Sequence, residues 1–237
     1  MEKEVEKEKN DIEGRLEFEG EFLNGKRNGK GKEIIKDKLN FEGQYLNGKR
    51  NGNGKEYYYD GELRFEGEYL YGKQLEGKIY DEEGNIIYEM KNINGKGKEY
   101  YGNGKLKFEG EYLNRKRSGK GKEYFFEGSL KFDGEYLNGE RNGKGKEYDC
   151  VGKLKFEGEY LNGLRNGKGK EYNYEGRLEF EGEYLNGKRN GKGKEYYDGK
   201  LRFEGEYLDG KQSEGKVYDE QGNMIYEMKN INGEGKE

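Results

Sequence analysis

The sequence contains no proline, tryptophan or histidine, and neither alanine nor threonine occurs among its 237 residues. The single cysteine, Cys150, has no second cysteine to pair with, which favours a reducing compartment and a cytoplasmic location. It also has no histidine that could activate it as a nucleophile. No apolar run approaches the ~20 residues of a membrane span. The N-terminal segment MEKEVEKEKND is charged, so it is not a secretory signal.

Hydrophobic residues make up only 29% of the chain and charged residues 41%, a composition that by itself is typical of disorder. The 46 basic and 50 acidic residues leave a net charge of -4, which argues against a nucleic-acid partner. The 43 glycines exclude long helices, because each glycine in a helix interior costs about 1 kcal/mol relative to alanine. Aromatic residues nevertheless reach 14%. They recur at fixed positions, which predicts an ordered repeat array.

The repeat is clearest at residues 180–196, which read FEGEYLNGKRNGKGKEY. Each copy has two strand-like runs, L-x-F-E-G-E-Y-L and K-G-K-E-Y, bounded by turn pairs such as Asn-Gly. We therefore predict an all-β fold, an elongated, twisted single antiparallel sheet of about ten tandem hairpins over residues 14–237. Residues 1–13 are predicted to form a charged N-terminal tail. The copies begin at Phe18, Phe41, Phe65, Tyr88, Phe108, Phe132, Phe156, Phe180, Phe203 and Tyr226.

The shorter copy at Tyr88 predicts a hairpin register for the others. It lacks four residues, and aligning its ends places the deletion inside NGKRNG. We therefore predict a six-residue loop over residues 186–191, with Leu185 opposite Lys192. This register puts aromatic residues and glycines on one face, and opposed Glu and Lys on the other. The tyrosine after each K-G-K-E run falls on the charged face, and we leave open whether it packs there or a bulge changes its side.

The order of aromatic residues and glycines resembles the MORN repeat: Y/F-x-G-x-Y/F, then x-x-G, then G-x-G. Phe180-Glu-Gly182-Glu-Tyr184 and the glycines that follow it carry the pattern, and residues 52–63 are similar to the bacterial MORN-variant repeat. The resemblance covers about residues 14–237, although the tryptophan usual in the family is always Tyr or Phe here. It implies an elongated array of antiparallel hairpins. It also implies scaffolding, self-association or membrane apposition, with phosphoinositide binding proposed for some members.

No motif in the chain predicts catalysis, a cofactor or a metal site. Recurrent glutamate pairs such as Glu181 and Glu183 face lysines, so we interpret them as a charge ladder. The segment Gly191-Lys-Gly-Lys194 lacks both the Ser or Thr and the helix of a phosphate-binding loop. The acidic turns at residues 81–85 and 219–223 supply too few ligands for an EF-hand loop. We therefore predict no catalytic, cofactor-binding or metal-binding residues.

Two surfaces are candidates for binding. Basic pairs in the predicted loops would line one edge and could meet an anionic membrane or a protein partner, although a solubilising edge is the plainer interpretation. The candidate edge residues are Lys26, Arg27, Lys49, Arg50, Lys116, Arg117, Lys188 and Arg189. The aromatic–glycine face would have to be curled on itself, dimerised or covered by a partner. Its candidate residues are Phe132, Tyr136, Phe156, Tyr160, Phe180, Gly182, Tyr184 and Gly193.

We interpret the chain as a non-enzymatic, cytoplasmic repeat scaffold for protein–protein interaction or self-association, including homodimerisation. One alternative is a peripheral membrane tether that binds anionic phospholipids through the basic loops. Another is a regulatory repeat segment of a larger enzyme. Residues 197–237 repeat residues 59–99 at an offset of 138, and the second copy stops inside a strand-like run. This leaves open that the array continues beyond residue 237 in a longer parent protein.

Overall fold

The structure is a computed structural model that describes residues 4–10, 16–91 and 94–229. These residues form β-strands and turns and no helix. Contacts divide the chain into two compact units, Met1–Arg115 (unit 1) and Lys116–Glu237 (unit 2). Within each unit consecutive strands pair antiparallel, and among the described residues the first strand does not pair with the last. The predicted all-β class and the antiparallel hairpin repeat are therefore confirmed.

The strands have similar lengths throughout. Unit 1 contains β1 (Glu4–Asn10), β2 (Leu16–Leu23), β3 (Lys26–Ile35), β4 (Lys38–Leu46), β5 (Lys49–Tyr57), β6 (Leu63–Leu70), β7 (Lys73–Tyr80), β8 (Ile86–Lys91), β9 (Lys96–Tyr100) and β10 (Leu106–Leu113). Unit 2 contains β11 (Lys116–Tyr124), β12 (Leu130–Leu137), β13 (Glu140–Tyr148), β14 (Leu154–Leu161), β15 (Leu164–Tyr172), β16 (Leu178–Leu185), β17 (Lys188–Tyr197), β18 (Lys200–Leu208), β19 (Lys211–Tyr218) and β20 (Met224–Met228).

The hairpin turn is shorter than the sequence suggested. In the hairpin β16–β17 only Asn186 and Gly187 lie outside the strands, with φ angles of 50° and 84°. Both values are left-handed, as the tight type I′ turn requires, and Asn-Gly is the preferred pair for it. The predicted six-residue loop over residues 186–191 is therefore wrong. Leu185 pairs with Lys188, not with Lys192.

A bulge in β17 accommodates the last residues of the segment that was assigned to the loop. Gly182 lies opposite Gly193, and two residues later Tyr184 lies opposite Arg189, so the register shifts between them. At the bulge Gly191 has a φ of 87°, which a side chain would strain. The Glu183 carboxylate lies beside this bulge and accepts a hydrogen bond from the next backbone N–H of β17, at 3.3 Å.

The actual and predicted registers differ by an even number of residues, so the predicted faces are correct despite the wrong turn. Phe180 pairs with Glu195 instead of Tyr197, and both of these residues point to the same side. The Tyr196 hydroxyl donates to Glu181 at 2.7 Å. This contact places the tyrosine on the charged face, as the register predicted, even though a second bulge follows Glu195 in the pairing of β17 with β18.

The N-terminal segment contains a strand where a tail was expected. In β1, Lys7 lies opposite Glu19, and Glu8 lies opposite Phe18. The K-G-K-E strands pair in the same way, for example Lys194 with the glutamate that follows Phe203. Residues 4–10 thus occupy the place of the second strand of a repeat. The ends of the predicted tail, residues 1–3 and 11–13, lie outside the described residues.

The core of each unit is a line of aromatic rings on one face of the sheet. Phe180 is fully buried, and its ring meets Tyr184 edge-to-face at 5.5 Å and Tyr207 of the next repeat at 5.1 Å. Aromatic pairs of this geometry stabilise by about 0.5–1.5 kcal/mol beyond their buried area. Below the ring, a Cβ on Gly182 or Gly193 would lie only 2.6 Å from ring carbons. The two glycines therefore make the space that the phenylalanine fills.

Candidate functional site

Arginine side chains cover the aromatic rings from the solvent side. The guanidinium of Arg189 lies 4.2 Å from the centre of the Phe180 ring, and that of Arg165 lies 4.1 Å from the Phe156 ring. A guanidinium is planar and weakly hydrated, so it can stack on a ring while its N–H groups bind carboxylates. Phe156 and Phe180 are thus each held between two backbone glycines and an arginine.

The same arginines link neighbouring repeats through glutamates. Arg165 contacts Glu171 of its own strand at 2.7 Å and Glu147 of the preceding repeat at 2.6 Å. Arg141 in turn joins Glu147 at 2.7 Å to Glu123 at 2.8 Å. We call the face that carries these arginines, glutamates and rings the ladder face. In unit 2 its charged members are Arg117, Glu123, Arg141, Glu147, Arg165, Glu171, Arg189 and Glu195.

Some tyrosine hydroxyls also bind ladder glutamates. Tyr136 donates to Glu123 at 2.9 Å, and Tyr45 donates to Glu33 at 2.8 Å. Burial and the neighbouring Glu123 raise the pKa of Tyr136 far above its usual value. Burial alone would raise the pKa of Glu123, but hydrogen bonds from Arg141 and Tyr136 hold it below the usual range. Its charge therefore stabilises the fold above the unfolded-state pKa, and this contribution is lost as the pH falls through the lowered value.

The predicted aromatic–glycine face coincides with the ladder face. Phe132, Phe156 and Phe180 are 0% exposed, and Tyr136, Tyr160 and Tyr184 are 4% exposed. Gly182 and Gly193 lie beneath the Phe180 ring. The chain's own arginines and glutamates cover the rings, so this face needs no second chain to bury it, and dimerisation or partner binding stays a prediction. The sequence signal was available as Arg and Glu six residues apart in most copies.

The predicted basic edge separates into two kinds of residue. Arg27, Arg50, Arg117 and Arg189 are the second residues of their strands and belong to the ladder. Their assignment to exposed loops is therefore wrong, because the loop itself does not exist. Lys26, Lys49, Lys116 and Lys188 are the first residues of the same strands and are exposed. Binding of lipid or protein by these lysines stays a prediction.

The opposite face, which we call the groove face, carries lysine, glutamate and tyrosine. Lys170 contacts Glu181 of the next strand at 3.6 Å, and Lys146 contacts Glu157 at 3.3 Å. The side chains of Lys170 and Glu181 are 48% and 34% exposed. Tyr196 donates to Glu181, and burial followed by this hydrogen bond raises the pKa of Tyr196 to about 12. The charges on this face are paired and remain accessible to water.

An open groove runs over the groove face of each unit. It measures about 1510 Å³ in unit 2 and about 780 Å³ in unit 1. In unit 2, lysines come from β13, β15 and β17 and carboxylates from β14, β16 and β18, so stripes of opposite charge alternate across it. The charged residues along its centre are Lys144, Lys146, Glu157, Glu159, Lys168, Lys170, Glu181, Glu183, Lys192, Lys194, Glu204 and Glu206.

The groove offers many ion-pairing groups and little reactive chemistry. Among the residues that the structure describes, no three His, Cys, Asp or Glu side chains come together as metal ligands do. Cys150 is exposed in a turn, away from the groove lining. The arrangement suits recognition of a charged, extended surface, which polar and ionic contacts position.

The fold and these surfaces define a tandem β-hairpin repeat protein in which each repeat packs against its neighbours. The family model described as MORN repeat matches seven segments, residues 18–38, 41–62, 88–105, 108–130, 132–153, 156–176 and 180–200. These ranges cover more than half of the chain, and the chain therefore belongs to the MORN-repeat family. No curated protein matches the sequence.

The matched segments leave out the repeats that begin at Phe65 and Phe203, yet both have the same hairpin and the same buried ring. In these two repeats Gln74 and Gln212 stand at the position of the ladder arginine. None of the described residues belongs to a helix with the length and hydrophobicity needed to cross a bilayer.

Proposed function

We propose that the protein is a scaffold that holds an extended segment of a protein partner in the groove of unit 2. The observation that carries this proposal is the contrast between the faces. The ladder face is filled by the chain's own side chains, whereas the groove face is open and lined by charged groups. Arginine-to-glutamate contacts on the ladder face leave little to bind, and the lysines and glutamates of the groove can exchange partners with another chain.

A groove of this kind recognises its partner mainly by charge order. Lys146, Lys170 and Lys194 form one row, with every second strand contributing one lysine. Strands lie about 4.8 Å apart, so neighbours in the row are separated by roughly 10 Å. Carboxylates of the intervening strands alternate with them. A partner whose positive and negative charges alternate can pair with both rows. A partner with another order of charges would place like charges next to each other and bind more weakly.

A triple charge reversal tests the groove. The variant K146E/K170E/K194E changes the groove's charge by six units and leaves the ladder face intact. The control K26E/K49E/K73E makes the same charge change at exposed lysines outside both grooves. Proteins retained on the immobilised wild-type chain are identified by mass spectrometry and compared with those retained on each variant.

The proposal predicts a partner that the wild type and the control retain and the groove variant loses. Amine-directed cross-links from that partner should involve groove lysines. Retention of the same proteins by all three chains would contradict the proposal, provided that circular dichroism shows the same strand content in each.

A second candidate function is tethering to an anionic membrane, which exposed lysines at the hairpin turns favour. Lys49 pairs with Leu46, which is 45% exposed, so a cation and an apolar side chain stand together at the turn. Anionic lipid attracts such lysines by about 1 kcal/mol each. Sedimentation with phosphatidylcholine vesicles, with and without phosphatidylserine, tests this function. It predicts binding that requires phosphatidylserine, collapses with salt and is lost in K26E/K49E/K73E. Equal sedimentation of that variant would exclude it.

A further inference from the structure

The two long edges of the units differ in charge. One edge, which we call the hairpin edge, consists of the tight turns within hairpins. The other, which we call the linker edge, consists of the turns between hairpins. In unit 1 every strand that follows a hairpin-edge turn begins with an exposed lysine, namely Lys26, Lys49, Lys73 and Lys96. The turns themselves, at residues 24–25, 47–48, 71–72 and 94–95, contain no acidic residue. The hairpin edge of unit 1 is therefore positively charged.

Leucines accompany the first three of these lysines. Leu23 pairs with Lys26, and Leu70 pairs with Lys73, so each pair stands side by side at the turn. The leucines are 38% and 45% exposed. Single exposed apolar residues are common on protein surfaces, but a regular row of exposed leucines is not. Such apolar patches mark interaction sites.

The linker edge of unit 2 has the complementary properties. Its turns, at residues 125–129, 149–153, 173–177, 198–199 and 219–223, carry six acidic and two basic residues. One of the basic residues, Arg177, is already paired with Glu175 at 3.1 Å and Asp198 at 2.5 Å. Large apolar side chains stand beside these turns at 55–77% exposure, namely Phe126, Val151, Tyr174 and Tyr197.

The two edges also share one spacing. Each repeat contributes one turn to either edge, so features on both edges recur every two strands, roughly 10 Å apart. Edges with equal spacing can be placed side by side so that lysines lie near acidic residues of the turns and leucines lie near exposed apolar side chains. We propose that the hairpin edge of unit 1 docks on the linker edge of unit 2 of a second copy of this chain.

A second copy accounts for both edges. An anionic membrane would attract the lysines, but it would give no role to the acidic linker edge and its exposed apolar side chains. The contact joins two different surfaces, and each copy carries both of them. The surfaces lie outside both grooves, so this inference does not depend on the proposed partner segment.

A charge-swap experiment tests the contact. The hairpin-edge variant K26E/K49E/K73E carries acidic groups on both edges. The linker-edge variant E127K/E175K/E220K carries basic groups on both edges. These positions avoid the aspartates that shape the turns, such as Asp149, which accepts hydrogen bonds from two turn N–H groups. Sedimentation velocity at low salt follows the wild type, each variant and an equimolar mixture of the variants.

We expect the wild type to associate with increasing concentration and to dissociate with added salt. Each variant alone should associate at least about tenfold more weakly, because attraction across the contact becomes repulsion. The mixture should recover association, since the acidic hairpin edge of one variant faces the basic linker edge of the other. A monomeric wild type at low salt, or a mixture no stronger than the separate variants, would overturn the proposal.

Vesicle binding by the wild type without self-association would also overturn the proposal, because the lysines would then act only at membranes. If a reversal variant fails to fold by circular dichroism, the neutral variant K26Q/K49Q/K73Q replaces it. That variant should show an intermediate loss of association. Unchanged association of this neutral variant would also count against the contact.

Discussion

The two faces of unit 2 carry similar charges in different surroundings. On the ladder face Arg165 lies 2.6 Å from Glu147, and both side chains are 22% exposed. On the groove face Lys170 lies 3.6 Å from Glu181, and the lysine is 48% exposed. Ion pairs at the surface contribute little, whereas breaking a buried pair leaves an uncompensated charge. The ladder charges are therefore structural, and the groove charges remain available for recognition.

The choice of basic residue follows from the environment of each face. An arginine on the ladder must cover a phenylalanine ring and reach glutamates on two repeats, which a planar guanidinium with five N–H groups can do. A lysine on the groove face has to reach only one carboxylate across a strand. A lysine in place of a ladder arginine would keep the charge and lose the stacking and the second carboxylate.

The ladder ends in both units at the repeats with glutamine. Gln74 donates to Glu56 at 3.0 Å, and Gln212 donates to Glu195 at 2.5 Å. The amide continues the hydrogen bonding without adding a charge, so the last glutamate of the ladder keeps a donor. These are the repeats at Phe65 and Phe203 that the family model does not match. Both repeats keep the hairpin and the buried ring without the arginine.

The largest effect on stability should come from removing the buried Phe180 ring of the ladder face. Phe180→Ala removes a fully buried side chain and leaves a cavity between the glycines and Arg189. We expect a loss of about 3–5 kcal/mol in local stability. Hydrogen exchange should show the loss in β16 to β18 and leave distant repeats protected. Leu185→Ala, at a half-exposed position next to the turn, is the control and should cost less than about 1 kcal/mol.

The second prediction compares one cation from each face. Arg165→Ala uncovers the Phe156 ring and leaves Glu147 and Glu171 with one arginine each, so it should cost about 2–3 kcal/mol. Lys170→Ala on the groove face should cost only roughly a few tenths of a kcal/mol. Urea unfolding and hydrogen exchange measure both variants under the same conditions. Similar losses from the two substitutions would mean that the faces are not energetically distinct.

The third prediction concerns the glycine below the ring. A Cβ on Gly182 would lie 2.6 Å from the Lys192 carbonyl oxygen and 2.7 Å from the Gly193 Cα. Gly182→Val should therefore cost about 1–3 kcal/mol through overpacking, although valine favours strands. Glu181 is the neighbour of Gly182 on the groove face, and Glu181→Gln should cost roughly a few tenths of a kcal/mol. A stabilised valine variant in thermal melts would contradict the packing described for this face.

The smallest effect should come from a groove hydroxyl and should depend on pH. Tyr196→Phe removes one partly exposed hydrogen bond and should cost about 0.5–1 kcal/mol at neutral pH. Because the pKa of Tyr196 is raised to about 12, its contribution is complete below the unfolded value near 10 and is lost as the pH rises through 12. The stability difference between wild type and variant should shrink over that interval. A difference that stays constant to pH 12 would rule out the tyrosine–glutamate bond.

The sequence was sufficient to predict the repeat, the antiparallel order of the strands and the two faces, but not the register of the pairing. Alternation along FEGEYL separates Phe180 and Tyr184 from Glu181 and Glu183, and no tertiary information is needed for that. The turn was predicted wrongly because a shorter copy was used to place the loop. The Asn186-Gly187 pair directly after Leu185 was the stronger local signal. A bulge at Gly191 absorbed the extra residues, and bulges are difficult to infer from a pattern of period two.

The candidate site was predicted less well than the fold. Alternation shows that the rings share a face, but it does not show what covers them. The missing information was the position of Arg189, which the incorrect loop removed from the sheet. Because β17 begins at Lys188, Arg189 lies opposite Tyr184, and its guanidinium reaches the Phe180 ring. Self-association and groove binding depend on surfaces whose partners no single sequence specifies, so these remain proposals.

Paired double-mutant cycles test the central contrast most directly. One cycle combines Arg165→Met with Glu147→Gln on the ladder face, and the other combines Lys146→Met with Glu157→Gln on the groove face. We expect a coupling energy of about 2 kcal/mol on the ladder face and below about 0.5 kcal/mol in the groove. Equal couplings, or a larger one in the groove, would contradict the division of the sheet into a structural face and a recognition face.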